Sequence, residues 1–222
     1  MRGDDTQSQW GVPGGEAALE LVLARHGQSA GNLDRSLGSD TDLTALGRRQ
    51  AERLGAWLAG QGYEFSTLYC SPLRRARQTA EIANAYLGAE IVLDADLRET
   101  EVPYLARLPA RAEPLAAEPP PPFAPEYEQM RRRVARATAR ILAEPAEGQV
   151  LVVAHAGTLG TMVRTILGSH ALLVRTDQAA LHILSWLGGR WNLQYVNHQE
   201  HLASRCDWET TNHGDTESTE NR

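Results

Sequence analysis

Short aliphatic runs alternate along the chain with stretches whose apolar residues recur at helical spacing. Residues 19–24 and 150–154 are strand-length aliphatic segments, the pattern of strands buried on both faces of a parallel sheet. Residues 67–70 and 90–93 are shorter candidates of the same kind. From Thr44 a capping residue leads into a helix that places Leu54, Trp57 and Leu58 on one side. In the next helix Ser71 is expected to cap, Pro72 to occupy the first turn and Gly88 to close the end. Met130, Val134, Ala137 and Ile141 recur at helical spacing in a third, which leaves Arg131, Arg132, Arg133, Arg136 and Arg140 as a solvated face. A fourth helix runs from Thr158 to Leu167 and ends at Gly168. Residues 181–186 and 191–196 flank Leu187-Gly188-Gly189-Arg190, a hairpin turn that brings at least one antiparallel strand. The β-α-β-α order predicts an α/β fold, a three-layer α/β/α sandwich with a mostly parallel sheet.

The same pattern sets the domain organisation. With 222 residues, 42% of them hydrophobic, the chain has material for one sizeable core. That core is expected over residues 17–202, between a polar, glycine-rich tail at 1–16 and a polar tail at 203–222. Eight of the eleven prolines fall from Pro103 to Pro125, so residues 103–128 read as an irregular insertion. Such a segment suits either a lid over a site or a plain surface loop.

Composition then narrows the chemistry. A net charge of −6 argues against non-specific nucleic-acid binding and against a polybasic membrane surface, so any anion site must be local. All 22 basic residues counted as Lys plus Arg are arginines, a usage read as genomic composition. The absence of lysine excludes a phosphate loop that needs its lysine and a Schiff-base enzyme. Arginine remains, with a planar fork that matches phosphate oxygens. Cys70 and Cys206 make neither a disulfide framework nor a zinc ribbon, and the N-terminus carries no basic-then-apolar leader. No apolar stretch approaches a membrane span, and a cytoplasmic protein is expected.

Two predicted strands end alike. LVLA runs into Arg25-His26-Gly27, and VLVVA into His155-Ala156-Gly157. In open α/β sheets ligands bind beyond the carboxyl ends of the strands, so two strand-end histidines followed by small residues predict one shared pocket.

These residues sit in blocks that resemble the histidine phosphatase superfamily, also called the phosphoglycerate mutase-like family. Arg25-His26-Gly27-Gln28-Ser29-Ala30-Gly31-Asn32 is similar to its R-H-G-x-[ST]-x-x-N signature. The stretches LTALGRRQA from Leu43 and SPLRRARQTA from Ser71 resemble its next two motifs, with Arg75 as the matching functional arginine. Leu97-Arg98-Glu99 resembles its acid element, and Val152 to Gly157 its second-histidine motif. The blocks span residues 19 to about 165, and NHQEHL from Asn197 echoes the family's ending.

The resemblance implies a phosphatase with His26 as nucleophile and Glu99 as general acid and base. Arg25, Arg75 and a protonated His155 would clamp the phosphoryl group, with Asn32 and Gly157 completing the substrate site. Neither metal nor other cofactor is implied, because fixed cations take the place of a divalent ion. The partner is a small-molecule phosphate monoester, and a homodimer is left open. Glu101 is a rival acid, because the chain reads Thr100-Glu101-Val102-Pro103-Tyr104 where the family often carries Gly and Trp-Glu-Gly. A cofactor-dependent mutase would share His26 and the clamp. A catalytically silent binding protein would not need intact matches at His26, Arg75 and His155. Gly27 to Gly31 also spells G-x-S-x-G, so a Ser29 esterase is a third reading, weakened by the turn-like sequence that follows Asn32.

Overall fold

The computed structural model describes residues 19–100, 105–143 and 148–203. Most of the expected tails, with Glu101 and Pro103, lie outside the described residues. Six strands form one sheet: β1 (Leu19–Arg25), β2 (Phe65–Cys70), β3 (Glu90–Leu93), β4 (Gly148–Ala154), β5 (Leu181–Leu187) and β6 (Arg190–His198). Their order is β3-β2-β4-β1-β5-β6. The pairs β3–β2, β2–β4 and β4–β1 are parallel, while β5 runs antiparallel to both β1 and β6. The hairpin turns where expected, with Gly188 and Gly189 both at positive φ.

A single turn, α1 (Ala30–Leu33), follows β1, and among the described residues four longer helices flank the sheet: α2 (Ala45–Gly60), α3 (Arg74–Leu87), α4 (Pro125–Ala143) and α5 (Ala156–Leu167). Strand alternation divides the core in two. Leu21, Leu23, Val150 and Val152 face α4 and α5, meeting Met130, Val134, Ile141, Leu159 and Met162. Val22, Ala24, Leu151 and Val153 face the other way, onto Leu54, Leu58, Ala76 and Ala80 of α2 and α3. The chain is therefore the predicted three-layer α/β/α sandwich.

Several local expectations are corrected. Helix α3 begins at Arg74 with Leu73 as its N-cap, and Ser71 does not cap it. The Ser71 hydroxyl instead hydrogen bonds to His155 at 2.8 Å. Helix α5 starts two residues early, at Ala156, because His155 takes the N-cap position with an extended backbone. The proline-rich segment gives way to helix at Pro125 rather than after residue 128. Glu118 ties it down by accepting from the Ser169 hydroxyl and the His170 backbone N–H. The α4 arginines are not merely a solvated face, since Arg133 is half-buried and Arg136 and Arg140 pair with Asp94 and Asp96. Among the described residues no helix is long and apolar enough to cross a membrane.

Candidate active site

The topology builds the site. Strands β1 and β4 are neighbours in register, with Arg25 opposite Ala154, so the chain leaves both strands side by side. The His26 N–H donates to the Ala154 carbonyl at 3.0 Å, and the His26 and His155 ring centroids lie 5.1 Å apart. The helices that follow, α2 and α5, go to opposite faces and open a crevice between the two strand ends.

A cavity of about 540 Å³ lies beyond the end of β1, bordered by Arg25, His26, Asn32, Arg35, Arg75 and Glu99 among others, and His155 is not among the residues that border it. His26 is 2% exposed and Arg75 7%, so the floor is nearly dry. His26 Nδ1 lies 2.7 Å from the Gly27 carbonyl, which can only accept, so Nδ1 carries the proton. Nε2 is then the unprotonated nitrogen, and it accepts from Arg75 Nε at 3.0 Å. Burial, then the charges of Arg25 and Arg75, hold the His26 pKa well below its ordinary value. His155 is fully buried and is also held well below its ordinary pKa, first by burial and then by its neighbours' charges. These effects favour its neutral form.

The remaining positions take their places from loops. Arg25 donates from Nη1 to the Thr176 carbonyl at 2.7 Å, and Arg75 donates from Nη1 to the Ser39 carbonyl. Asn32 borders the cavity, and its Oδ1 accepts from the Ser29 N–H and hydroxyl at 3.0 Å each, which leaves the Nδ2 amide to offer. The Ser29 hydroxyl thus faces an amide rather than an imidazole, contrary to an esterase triad. Gly157 does not offer its N–H to the cavity: it donates to Glu99 Oε2 at 2.9 Å. Glu99 Oε1 accepts from the Thr100 N–H at 3.0 Å. Burial raises the Glu99 pKa, against the opposing pull of those two N–H groups and of Arg75 and Arg25.

Sequence reasoning missed Arg35 and the 38–41 wall of the cavity, because short turns between elements carry no periodic signal. It also missed Thr79, whose hydroxyl accepts from the Gly27 N–H at 3.1 Å and fixes the loop beneath His26. Of the described residues 105–124, none lines the cavity.

The family model described as histidine phosphatase superfamily (branch 1) matches residues 21–199. A Klebsiella pneumoniae protein named probable phosphoglycerate mutase GpmB is 31% identical over 208 residues, covering 83% of this chain and 95% of that one. A Bacillus subtilis protein named uncharacterized phosphatase PhoE is 28% identical over 190 residues, covering 82% and 96%. The solved structure of Bacillus stearothermophilus YhfR superposes with a TM-score of 0.68 at 24% identity, covering 84% of this chain and all of that one, and so shares the fold.

Proposed function

The chain belongs to the histidine phosphatase superfamily, and from that premise we propose that it hydrolyses small-molecule phosphate monoesters through a phosphohistidine on His26. The observation that carries the reading is the tautomer of His26. With Nδ1–H held by the Gly27 carbonyl, the Nε2 lone pair lies at the floor of a cavity bordered by three arginines and a carboxyl group.

In the first half-reaction Nε2 attacks phosphorus, the N–P bond forms and the bond from phosphorus to the ester oxygen breaks. Arg75, whose Nε now donates to Nε2, transfers that donation to a phosphoryl oxygen, and Arg25 shares the charge spread over the equatorial oxygens. The departing alkoxide takes a proton from Glu99, a group whose raised pKa favours the protonated form it needs. In the second half-reaction water attacks phosphorus, Glu99 takes the water proton, and the electron pair returns to Nε2 as phosphate leaves. Burial holds the His155 pKa low, and a phosphate dianion nearby favours its protonation.

A mutase-type transfer shares the first half-reaction and differs only in the acceptor, as the name of the Klebsiella relative suggests. Hydrolysis is the better reading because none of the described residues 105–124 covers the cavity to keep water out. The deciding experiment is rapid acid-free quenching with a radiolabelled phosphate monoester, followed by product analysis. The expected result is an acid-labile, alkali-stable phosphoenzyme in the wild type, its absence in His26→Ala, and release of the label as inorganic phosphate. Label recovered chiefly in an isomeric ester establishes the mutase, and a His26→Ala enzyme that still forms phosphoenzyme removes the mechanism.

A further inference from the structure

Glu99 follows a single turn of 3-10 helix, Ala95–Leu97, and belongs to no strand or helix of its own. Besides the adjacent Thr100 N–H, the donors that hold it come from two helices. From α5, Gly157 N–H donates to the carboxyl and the Thr158 hydroxyl donates to the Arg98 carbonyl at 3.0 Å. From α4, Arg133 Nη1 donates to the Arg98 carbonyl and to the Asp96 carbonyl, each at 2.7 Å. The carbonyl immediately before the acid is thus gripped by both helices.

We propose that Arg133 is a positioning residue for the proton donor, setting the distance of the Glu99 carboxyl from the phosphoryl site by holding the backbone that carries it. This rests on the reading of Glu99 as general acid. Arg133 differs from its neighbours on the same helix. Arg136 and Arg140 are exposed and reach the turn through ion pairs with Asp94 and Asp96, contacts that solvent weakens. Arg133 is half-buried, bonds backbone rather than carboxylate, and borders with Glu99 a second cavity of about 510 Å³ beside the first. A donor that must reach the ester oxygen and later the attacking water tolerates little displacement, since a shift of roughly 1 Å costs on the order of 10²-fold in rate.

The test uses four variants of the full chain, Glu99→Gln, Arg133→Met, Arg133→Lys and Arg136→Met, each assayed on glycerol phosphate and on p-nitrophenyl phosphate. An alkyl ester needs its leaving oxygen protonated and a nitrophenyl ester hardly does, so the ratio of the two rates reads the proton donor alone. Arg133→Met is expected to lower kcat on glycerol phosphate by about 10- to 100-fold, with a much smaller loss on the aryl ester and little change in KM. Arg133→Lys, which keeps a charged donor near the two carbonyls, recovers part of the loss, and Arg136→Met leaves both rates close to wild type. A variant that merely folds poorly loses both activities in parallel, and that outcome for Arg133→Met overturns the proposal. If Glu99→Gln separates the two esters and Arg133→Met does not, the positioning role falls while the acid stands. If Glu99→Gln itself lowers both esters equally, the acid assignment fails and the proposal falls with it.

Discussion

Arg75 Nε points at His26 Nε2 across 3.0 Å, so the cation proposed to hold the phosphoryl group also holds the proposed nucleophile. The guanidinium fixes the ring, and its charge adds to burial and to the charge of Arg25 in holding the imidazole's pKa well below its ordinary value. Arg75→Ala removes both effects. The expected loss in kcat/KM is about 10²- to 10³-fold, the usual cost of deleting one donor to developing charge. Arg75→Lys restores charge without the planar fork and recovers only part of it. Steady-state kinetics of the two variants make the comparison, and an alanine variant within about tenfold of wild type contradicts the clamp.

The pH profile of kcat/KM is expected to have a limb on each side, in the directions set by the pKa shifts of His26 and Glu99. His26 must be unprotonated to attack, and because burial and two arginines lower its pKa, activity persists below the ordinary histidine range before falling. Glu99 must be protonated to give its proton, so the rate falls as pH rises through the carboxyl's raised pKa. Arg75→Ala should move the acid limb to higher pH by removing a charge that opposes protonation of His26. Glu99→Gln should abolish the alkaline limb on alkyl esters, lowering their turnover by about 10²- to 10⁴-fold. An alkaline limb unchanged in Glu99→Gln assigns the acid elsewhere, with Glu101→Gln as the next variant to make.

Much of this site was legible along the chain, for a physical reason. A parallel strand buried on both faces is a short aliphatic block, and Arg25-His26 and His155 follow such blocks directly, so their place at strand ends followed from pattern alone. Arg75 and Glu99 carry no such mark, and only the resemblance singled them out. Arg133 was read as part of an outer face because helical periodicity records which side of α4 meets the sheet, but not that the Asp94–Arg98 turn folds back along its flank. The Ser71 misreading has the same origin. A serine before a helix looks like a cap, and nothing local reveals an imidazole 84 positions later that competes for its hydroxyl.

Ser29→Ala separates the phosphatase from the esterase reading. Its hydroxyl donates to Asn32 Oδ1 at 3.0 Å, and the Ser29 backbone N–H donates to the same oxygen while the Asn32 N–H donates to the Ser29 carbonyl, so the loop keeps its backbone ties without the side chain. Phosphatase activity is expected to stay within about tenfold of wild type, the loss being one neutral hydrogen bond of roughly 1 kcal/mol. Hydrolysis of p-nitrophenyl acetate that disappears in Ser29→Ala but survives in His26→Ala would reverse the assignment.

Buried neutral histidines make the fold acid-sensitive. Burial lowers His182 and His201 each to about 4 in the folded chain, against about 6.5 unfolded. Below pH 6.5 the unfolded state binds protons that the folded state refuses, so stability falls as pH drops, over the window from about 6.5 to about 4. Each such group contributes a slope of up to about 1.4 kcal/mol per pH unit. Melting temperatures between pH 7 and pH 5 should fall steeply in the wild type and less steeply in His201→Leu, which removes one titrating group. Parallel slopes for the two proteins would mean that position 201 does not titrate between the states.

Gly47, in the first turn of α2, lies so close to the loop after β1 that a Cβ built on it would meet the Gln28 carbonyl oxygen at 2.0 Å. A Cβ on Gly27 would in turn meet the Gly47 carbonyl oxygen at 2.5 Å. Helix and catalytic loop therefore pack backbone against backbone. The contact is reinforced by the Thr44 N–H donating to the Gln28 carbonyl at 2.9 Å and the Gln28 N–H donating to Gln50 Oε1 at 2.8 Å. Since Gln28 lies two residues after His26, any separation of the two backbones is transmitted to the nucleophile. Gly47→Ala is expected to cost about 1–3 kcal/mol of stability, the range for an overpacked interior, although alanine favours the helix itself. It should also lower kcat on alkyl and aryl phosphates alike, because it displaces His26 rather than the proton donor. That common loss distinguishes it from Arg133→Met, and a Gly47→Ala enzyme with wild-type melting temperature and wild-type kcat would show that the two backbones can part without moving the imidazole.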